Sequence, residues 1–363
     1  MINRRDFLKT GAAAATLCMV PSLFAEPEEK IKQPIRNYHE DMRYRPLGNT
    51  GLMVSVISMG GDTIVEPILN YAIDHGVNLV HISTHYAFGQ SIKKLGHVLK
   101  GKRDRVYIAL KDNFGNIDDA LKDLGVDDVD LIMFNRHSVD AAQNPGIMEQ
   151  FEKIKESGKA RFCGLTSHGD VKNATAAGIE SGLYQAVMPS LNPENFNRMQ
   201  PELASALKNG VGVIAMKTMQ GLRDKDMHPA QVKHVLSNPG VSTIVRGFKS
   251  FDYFKAFVQA AKEKLTGFEN SELQRYTIEK CAQQCLMCDT CKQSCPKDVE
   301  ISTILRCINY YADQEQAYDK ARWIYNDITP EHRGDPGCGM CRACESVCPQ
   351  EISIVEMLDK AYE

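Results

Sequence analysis

The sequence lacks the marks of several protein classes. Its net charge is −3 over 363 residues, and no basic run is interleaved with aromatics, which excludes the electrostatic footprint of a nucleic-acid binder. Its N-terminal apolar run, Gly11 to Phe24, is about 14 residues long, too short for a stable membrane span. The turn Gly60-Gly61-Asp62 is too short a version of the glycine-rich dinucleotide fingerprint to favour an open doubly wound sheet. What remains is ordinary for a globular protein, with 43% hydrophobic and 25% charged residues. The chain is too long for one small core, so two domains are expected.

Cysteine is the one residue type in excess. Twelve are present, and eight fall in two matching runs. The first is Cys285-x2-Cys288-x2-Cys291-x3-Cys295-Pro296; the second is Cys338-x2-Cys341-x2-Cys344-x3-Cys348-Pro349. Three cysteines at two-residue spacing can wrap three irons of a cubane, while the fourth thiolate must arrive from elsewhere. In two-cluster ferredoxins the fourth cysteine of each run serves the other cluster. The expected ligand sets are therefore Cys285, Cys288, Cys291 and Cys348 for one 4Fe–4S cluster, and Cys338, Cys341, Cys344 and Cys295 for the second. Zinc knuckles also use two-residue spacings, but they need pairs rather than a triplet followed by Cys-Pro. Cys163 and Cys307 lie in apolar surroundings and read as core thiols. Cys281 reads as a buried thiol or a substitute ligand.

The N-terminus reads as an address. Asn3-Arg4-Arg5-Asp6-Phe7-Leu8-Lys9 precedes the short apolar run, a twin-arginine pattern, with cleavage expected after Ala25. That route exports folded proteins, which suits clusters loaded in a reducing cytoplasm. Cys18 raises a lipoprotein alternative, against which Leu17 argues. Residues 26–41 read as an extended linker.

From Tyr44 onward, short apolar runs alternate with amphipathic stretches. Strands are expected at Val54–Met59, Asn78–Ile82, Val106–Leu110, Asp130–Phe134, Arg161–Leu165, Ala186–Pro189, Gly212–Met216 and Val241–Val245. Helical periods fall between them, with Gly76, Gly158, Gly182 and Gly210 placed to end helices. Eight such units predict an α/β fold, a (β/α)8 barrel, whose chemistry sits at the C-terminal strand ends. Those ends carry His81, Tyr86, Lys111, Asn135, His137, Thr166-Ser167-His168, Asn192, Lys217 and Arg246 to Lys249.

Several ordered segments resemble the aldo-keto reductases over roughly Met42 to Lys264. Among them are Arg45-Pro-Leu-Gly-Asn-Thr-Gly-Leu-Met-Val-Ser55, Lys111 closing Val106-Tyr-Ile-Ala-Leu, Lys159-Ala-Arg-Phe-Cys-Gly-Leu-Thr-Ser-His168 and Ser242-Thr-Ile-Val-Arg-Gly-Phe-Lys-Ser250. With the cysteine runs, the chain is similar to the branch bearing a C-terminal two-cluster ferredoxin-type domain. The resemblance implies a tyrosine that protonates a substrate carbonyl as hydride arrives from a nicotinamide. A lysine lowers the tyrosine's pKa, an aspartate pairs the lysine, and a histidine orients the carbonyl. Tyr86 and Lys111 match the first two. His81 stands at the aspartate position and Asn135 at the histidine position, with His137 placed to supply an imidazole. The family stacks the nicotinamide on an aromatic residue where this chain has Leu191. Thr166, Ser167 and Asn192 could hydrogen-bond its carboxamide, and Arg246 and Lys249 could hold a phosphate of NADP(H).

The expected organisation is a signal peptide (1–25), a linker (26–41), a reductase-like barrel (42–267) and a mostly helical ferredoxin-type domain with two 4Fe–4S clusters (268–363). Thr303–Tyr311 and Gln316–Tyr325 read as helices, and Trp323 with Tyr310, Tyr311 and Tyr325 as packing over the clusters or the barrel. The expected function is an exported oxidoreductase acting on a small carbonyl or alcohol, joined through the clusters to a one-electron protein partner. The rivals are a relay protein with a non-catalytic barrel and an ordinary NADPH-dependent reductase. The twin-arginine machinery is the expected export partner, with no nucleic acid and no stable membrane span.

Overall fold

Eight parallel strands close into a barrel in the order β10-β3-β4-β5-β6-β7-β8-β9. They are β3 (Ile57–Gly60), β4 (Leu79–Ser83), β5 (Tyr107–Lys111), β6 (Val129–Asn135), β7 (Ala160–Thr166), β8 (Ala186–Met188), β9 (Gly212–Ala215) and β10 (Thr243–Arg246). The computed structural model describes residues 34–111, 117–281, 284–315, 317–334 and 338–361. The expected signal peptide, the first part of the expected linker, Cys18 and the side chain of Cys281 lie outside the described residues.

Alternation builds the barrel. Leu79, Tyr107, Ala109, Leu131, Met133, Ala186, Met188 and Ile214 fill its interior. Their sequence neighbours Val80, Ile108, Ile132, Val187 and Val213 point outward, into the layer shared with the helices. Both faces are apolar, which is why the strands read as continuous hydrophobic runs. Inside, Gly164 leaves room for Met133: a Cβ there would stand 2.3 Å from Met133 Sδ and force that side chain to move.

The expected first strand, Val54–Met59, is divided. Its first half is β2 (Met53–Ser55), which pairs antiparallel with β1 (Tyr44–Pro46), and its second half is the barrel strand β3. The side chain of Asn78 accounts for the break, since it receives the Ser55 amide and donates to Met53 O. Leu47, Leu52 and Val54 of this hairpin enter the interior cluster. Gly76, Gly158, Gly182 and Gly210 carry positive φ at helix ends, as expected.

Residues from Ile35 onward pack as one unit. The end of the expected linker is docked rather than free: Arg36 donates to Val106 O and stacks over Tyr107. After the barrel, Gly267–Tyr276 is a helix opened by a Thr266/Glu269 capping box. Short helices then surround the cysteines. Ile301–Arg306 continues as a π-helix, Cys307–Gln314, and is followed by the helix Tyr318–Asp327. Among the described residues, no strand forms after β10.

Candidate functional site

Alternation carries each barrel strand from an apolar interior to a polar end. Leu79 leads to His81, Ala109 to Lys111, Met133 to Asn135, and Met188 to Ser190. The C-terminal segment covers this end. Arg306, Tyr310 and Tyr311 are each at most 9% exposed. Lys217 faces the rings of Tyr310 and Tyr311, at 5.6 and 5.7 Å. Lys320 lies over Tyr311 at 4.0 Å and near Tyr86 at 5.8 Å, and it pairs with Asp62 of the barrel. Trp323 packs on the barrel loop after β4, against His85 and Phe88.

Among the described residues, neither Lys111 nor Lys217 hydrogen-bonds Tyr86. Lys111 Nζ lies 3.3 Å from His168 Nε2, and Lys217 Nζ lies 3.4 Å from His168 Nδ1. A neutral imidazole has one acceptor nitrogen, so both lysines cannot donate to it as ammonium groups. The electrostatics agree. Burial, then Arg306 and Lys320, push Lys111 down to about 7. The same causes hold Lys217 well below its usual range. Burial, with Lys111 adding, holds His81 at about 3. His137 is also pushed to about 3, by burial and then Arg306. Tyr86 moves the other way: burial raises it well above 10, Asp62 and Tyr311 add to the rise, and Arg306 opposes it. The resemblance implied a phenol acidified by Lys111; here burial dominates and holds the phenol protonated.

Asn135 and His137 do come together. The Asn135 side-chain nitrogen is 2.8 Å from His137 Nε2, and the His168 amide donates to His137 Nδ1. Of the expected nucleotide contacts, Ser167, Asn192 and Arg246 are engaged within the protein. Ser167 Oγ donates to Gly169 O, and Asn192 Oδ1 accepts from the Asn195 amide. Arg246 pairs with Glu315 of the C-terminal segment at 3.5 Å. Lys249 is exposed, Leu191 is buried, and Thr166 Oγ1 is buried without a hydrogen-bond partner among the described residues. Gln314 accepts from the Gly221 amide at 2.8 Å and donates to Met219 O at 2.6 Å, which ties the π-helix to the loop after β9. Of this lid, Arg306, Gln314, Glu315 and Lys320 escaped the sequence reading, because nothing in a helical period tells which face meets a barrel.

The cysteines form a second site. Cys285, Cys288, Cys291 and Cys348 line one small cavity, about 20 Å³, with Leu286, Leu305, Ile352 and Ile354. The two runs repeat in conformation as well as sequence. Asp289 and Arg342, each just after the second cysteine, adopt positive φ, and so do Asp298 and Glu351, each three residues past the Cys-Pro cysteine. The amides of Asp298 and Glu351 return to Cys295 O and Cys348 O. Two donors reach sulfur: the Met287 amide to Cys285 at 3.4 Å and the Thr290 hydroxyl to Cys288 at 3.3 Å. In the other set, Cys344 is buried with Cys295 acting on it, Cys338 is partly buried, and Cys341 is exposed. Among the described residues, no group of three or more His, Cys, Asp or Glu is gathered tightly enough to hold a single metal ion. Cys163 and Cys307 are buried, unpaired thiols, as expected.

A closed parallel barrel with its ionisable residues gathered at the strand ends defines a (β/α)8 enzyme. Residues 62–265, more than half of the chain, match the Aldo/keto reductase family; the chain belongs to that family and is an oxidoreductase. Residues 1–21 match the twin-arginine translocation pathway signal, an address for export to the periplasm. No helix among the described residues is long and apolar enough to cross a membrane. L-galactose dehydrogenase of Arabidopsis thaliana is 23% identical over 288 residues, covering 60% of this chain and 88% of that protein. Two solved structures share the fold. A candidate aldo-keto reductase from Pseudomonas aeruginosa has 24% identity and a TM-score of 0.51, covering 64% of this chain and 96% of its own. An aldo-keto reductase from Bacillus halodurans, in holo form, has 20% identity and a TM-score of 0.54, with the same coverages of 64% and 96%. The cysteine runs lie beyond the stretch that matches the family.

Proposed function

We propose that this is an exported iron–sulfur oxidoreductase. Its barrel mouth acts on a small carbonyl or alcohol, and residues 268–363 form a ferredoxin-type domain whose two 4Fe–4S clusters connect the mouth to a one-electron partner. The observation that carries this reading is the cavity shared by Cys285, Cys288, Cys291 and Cys348. It joins three cysteines of one run to the last cysteine of the other. A zinc ion at about 2.3 Å from four sulfurs would draw them within about 4 Å of one another. A cubane needs the sulfurs spread around a space, and a cavity lined by all four cysteines supports that reading. Cys295, Cys338, Cys341 and Cys344 would hold the second cluster. When bound, such clusters supply one-electron carriers whose potentials depend on hydrogen bonds to sulfur, which the Met287 amide and the Thr290 hydroxyl provide.

At the mouth, reducing a carbonyl to an alcohol takes two electrons, which the one-electron partner would supply singly through the clusters, and two protons, which Lys111 would pass on in turn, reprotonated from solvent between them. Lys111, near pH 7, is suited to give up or take a proton at neutral pH. Tyr86 keeps its proton and serves as a hydrogen-bond donor to the carbonyl oxygen. The Asn135–His137 pair orients the substrate. NADP(H) as direct hydride donor fits poorly in this conformation, because Glu315 occupies Arg246 and Gln314 occupies Gly221.

Full-length protein prepared anaerobically should contain about eight irons per chain. A reduced one-electron donor should bleach its visible absorbance, and NADPH should not. One iron or less with bound zinc would overturn the cluster assignment. A Tyr86→Phe variant that retains full turnover would move the chemistry away from the mouth, leaving the barrel as a relay scaffold.

A further inference from the structure

The barrel mouth carries more positive charge than its described surroundings neutralise. Arg306 is 9% exposed, and its Nε and Nη1 have no hydrogen-bond partner among the described residues. Its charge acts on Tyr86, Lys111, His137, His168 and Lys217. Those groups sit at or just after the ends of β4, β5, β6, β7 and β9, so the charge of this buried side chain is felt across the whole barrel mouth. The acids near it are committed elsewhere, Asp62 to Lys320 and Glu315 to Arg246. Lys111 and Lys217 share a single imidazole. Burying a cation without a counter-charge is strongly unfavourable, and the two lysines beside it are pushed toward their neutral forms for the same reason, so that an arriving anion would favour their protonation. The missing partner is an anion.

We propose that the mouth binds a small carboxylate, held by the Arg306 fork with Lys111 and Lys217, so that the substrate is an oxo or hydroxy acid rather than a neutral carbonyl. A guanidinium presents parallel donors that match a carboxylate's two oxygens. The buried hydroxyls of Thr166 and Ser190 lie at the same barrel end without partners among the described residues, and can serve further oxygens. Tyr310 and Tyr311 close the space, which favours a small ligand. The word substrate rests on the redox-site reading; the binding does not.

Calorimetry on the full-length, cluster-loaded protein separates the two. Pyruvate and oxamate are expected to bind, while acetone and inorganic phosphate are not at the same concentrations. Affinity should fall at least about tenfold in Arg306→Gln and in Lys217→Gln, and recover in part in Arg306→Lys. It should also weaken as the pH rises through 7, as Lys111 loses its charge. Without ligand, Arg306→Gln should melt no lower than the parent, since an unpaired buried charge is removed. Unchanged affinity in both glutamine variants, equal binding of acetone, binding of phosphate alone, or no binding at all would overturn the proposal. Should Arg306→Gln fail to fold, Lys217→Gln decides. Carboxylates that bind but are never turned over would sink the redox reading and leave this one standing.

Discussion

At the scale of single residues, the pair His81 and Lys111 sets the chemistry. A carboxylate opposite the lysine would keep it charged; a histidine held neutral by burial does not. Lys111 therefore titrates near neutrality instead of standing as a fixed cation. Replacing His81 with Asp should restore the counter-charge and raise the lysine's pKa. The pH at which carboxylate binding declines should then move up by about one unit or more, read from binding profiles. An unmoved profile would mean that another group titrates there. Alternation made His81, Lys111, Asn135 and Thr166 recognisable as one polar layer, since inward positions recur every second residue. The charge state of Lys111 was not recognisable, because burial and Arg306 both come from a distant segment.

At the scale of elements, the helix Ile301–Arg306 with its π-helical continuation is the piece that turns an open barrel into a closed chamber. Gln314 anchors it by two close hydrogen bonds to the loop after β9. Gln314→Ala should destabilise this closure by about 1–3 kcal/mol, because it removes both of these hydrogen bonds. Hydrogen exchange at Gly221 should rise severalfold while β5 and β6 stay protected. If Gly221 exchanges as before, the lid is held by other contacts. Helical period located this segment to within a few residues: Thr303–Tyr311 was expected, and Ile301–Gln314 is found. The divided first strand was not visible in sequence. Val54 to Met59 is apolar throughout, and only the distant amide of Asn78 separates the hairpin from the barrel.

For the molecule as a whole, two outcomes follow from what is buried. With crossed ligand sets, Cys348→Ser should lose about half of the iron while Cys163→Ser loses none, counted per chain. Loss of the second cluster alone would reverse the assignment. Acid should unfold the protein progressively. His81 and His137 have folded-state values near 3, below the 6.5 of a free imidazole, so the unfolded chain binds more protons between those limits. Stability should fall as pH drops from about 6.5 towards 3, measured by denaturant midpoints, and His81→Asn should flatten that fall. The sequence alone settled the barrel, the export address and the existence of two matching cysteine runs, because periodicity, motif and spacing are written along the chain. Folding decided which thiols share a cavity, which acids are already engaged, and that a distant arginine is buried where its charge acts on the mouth. Those depend on approach between segments far apart along the chain, and so does the strength of every charge buried there.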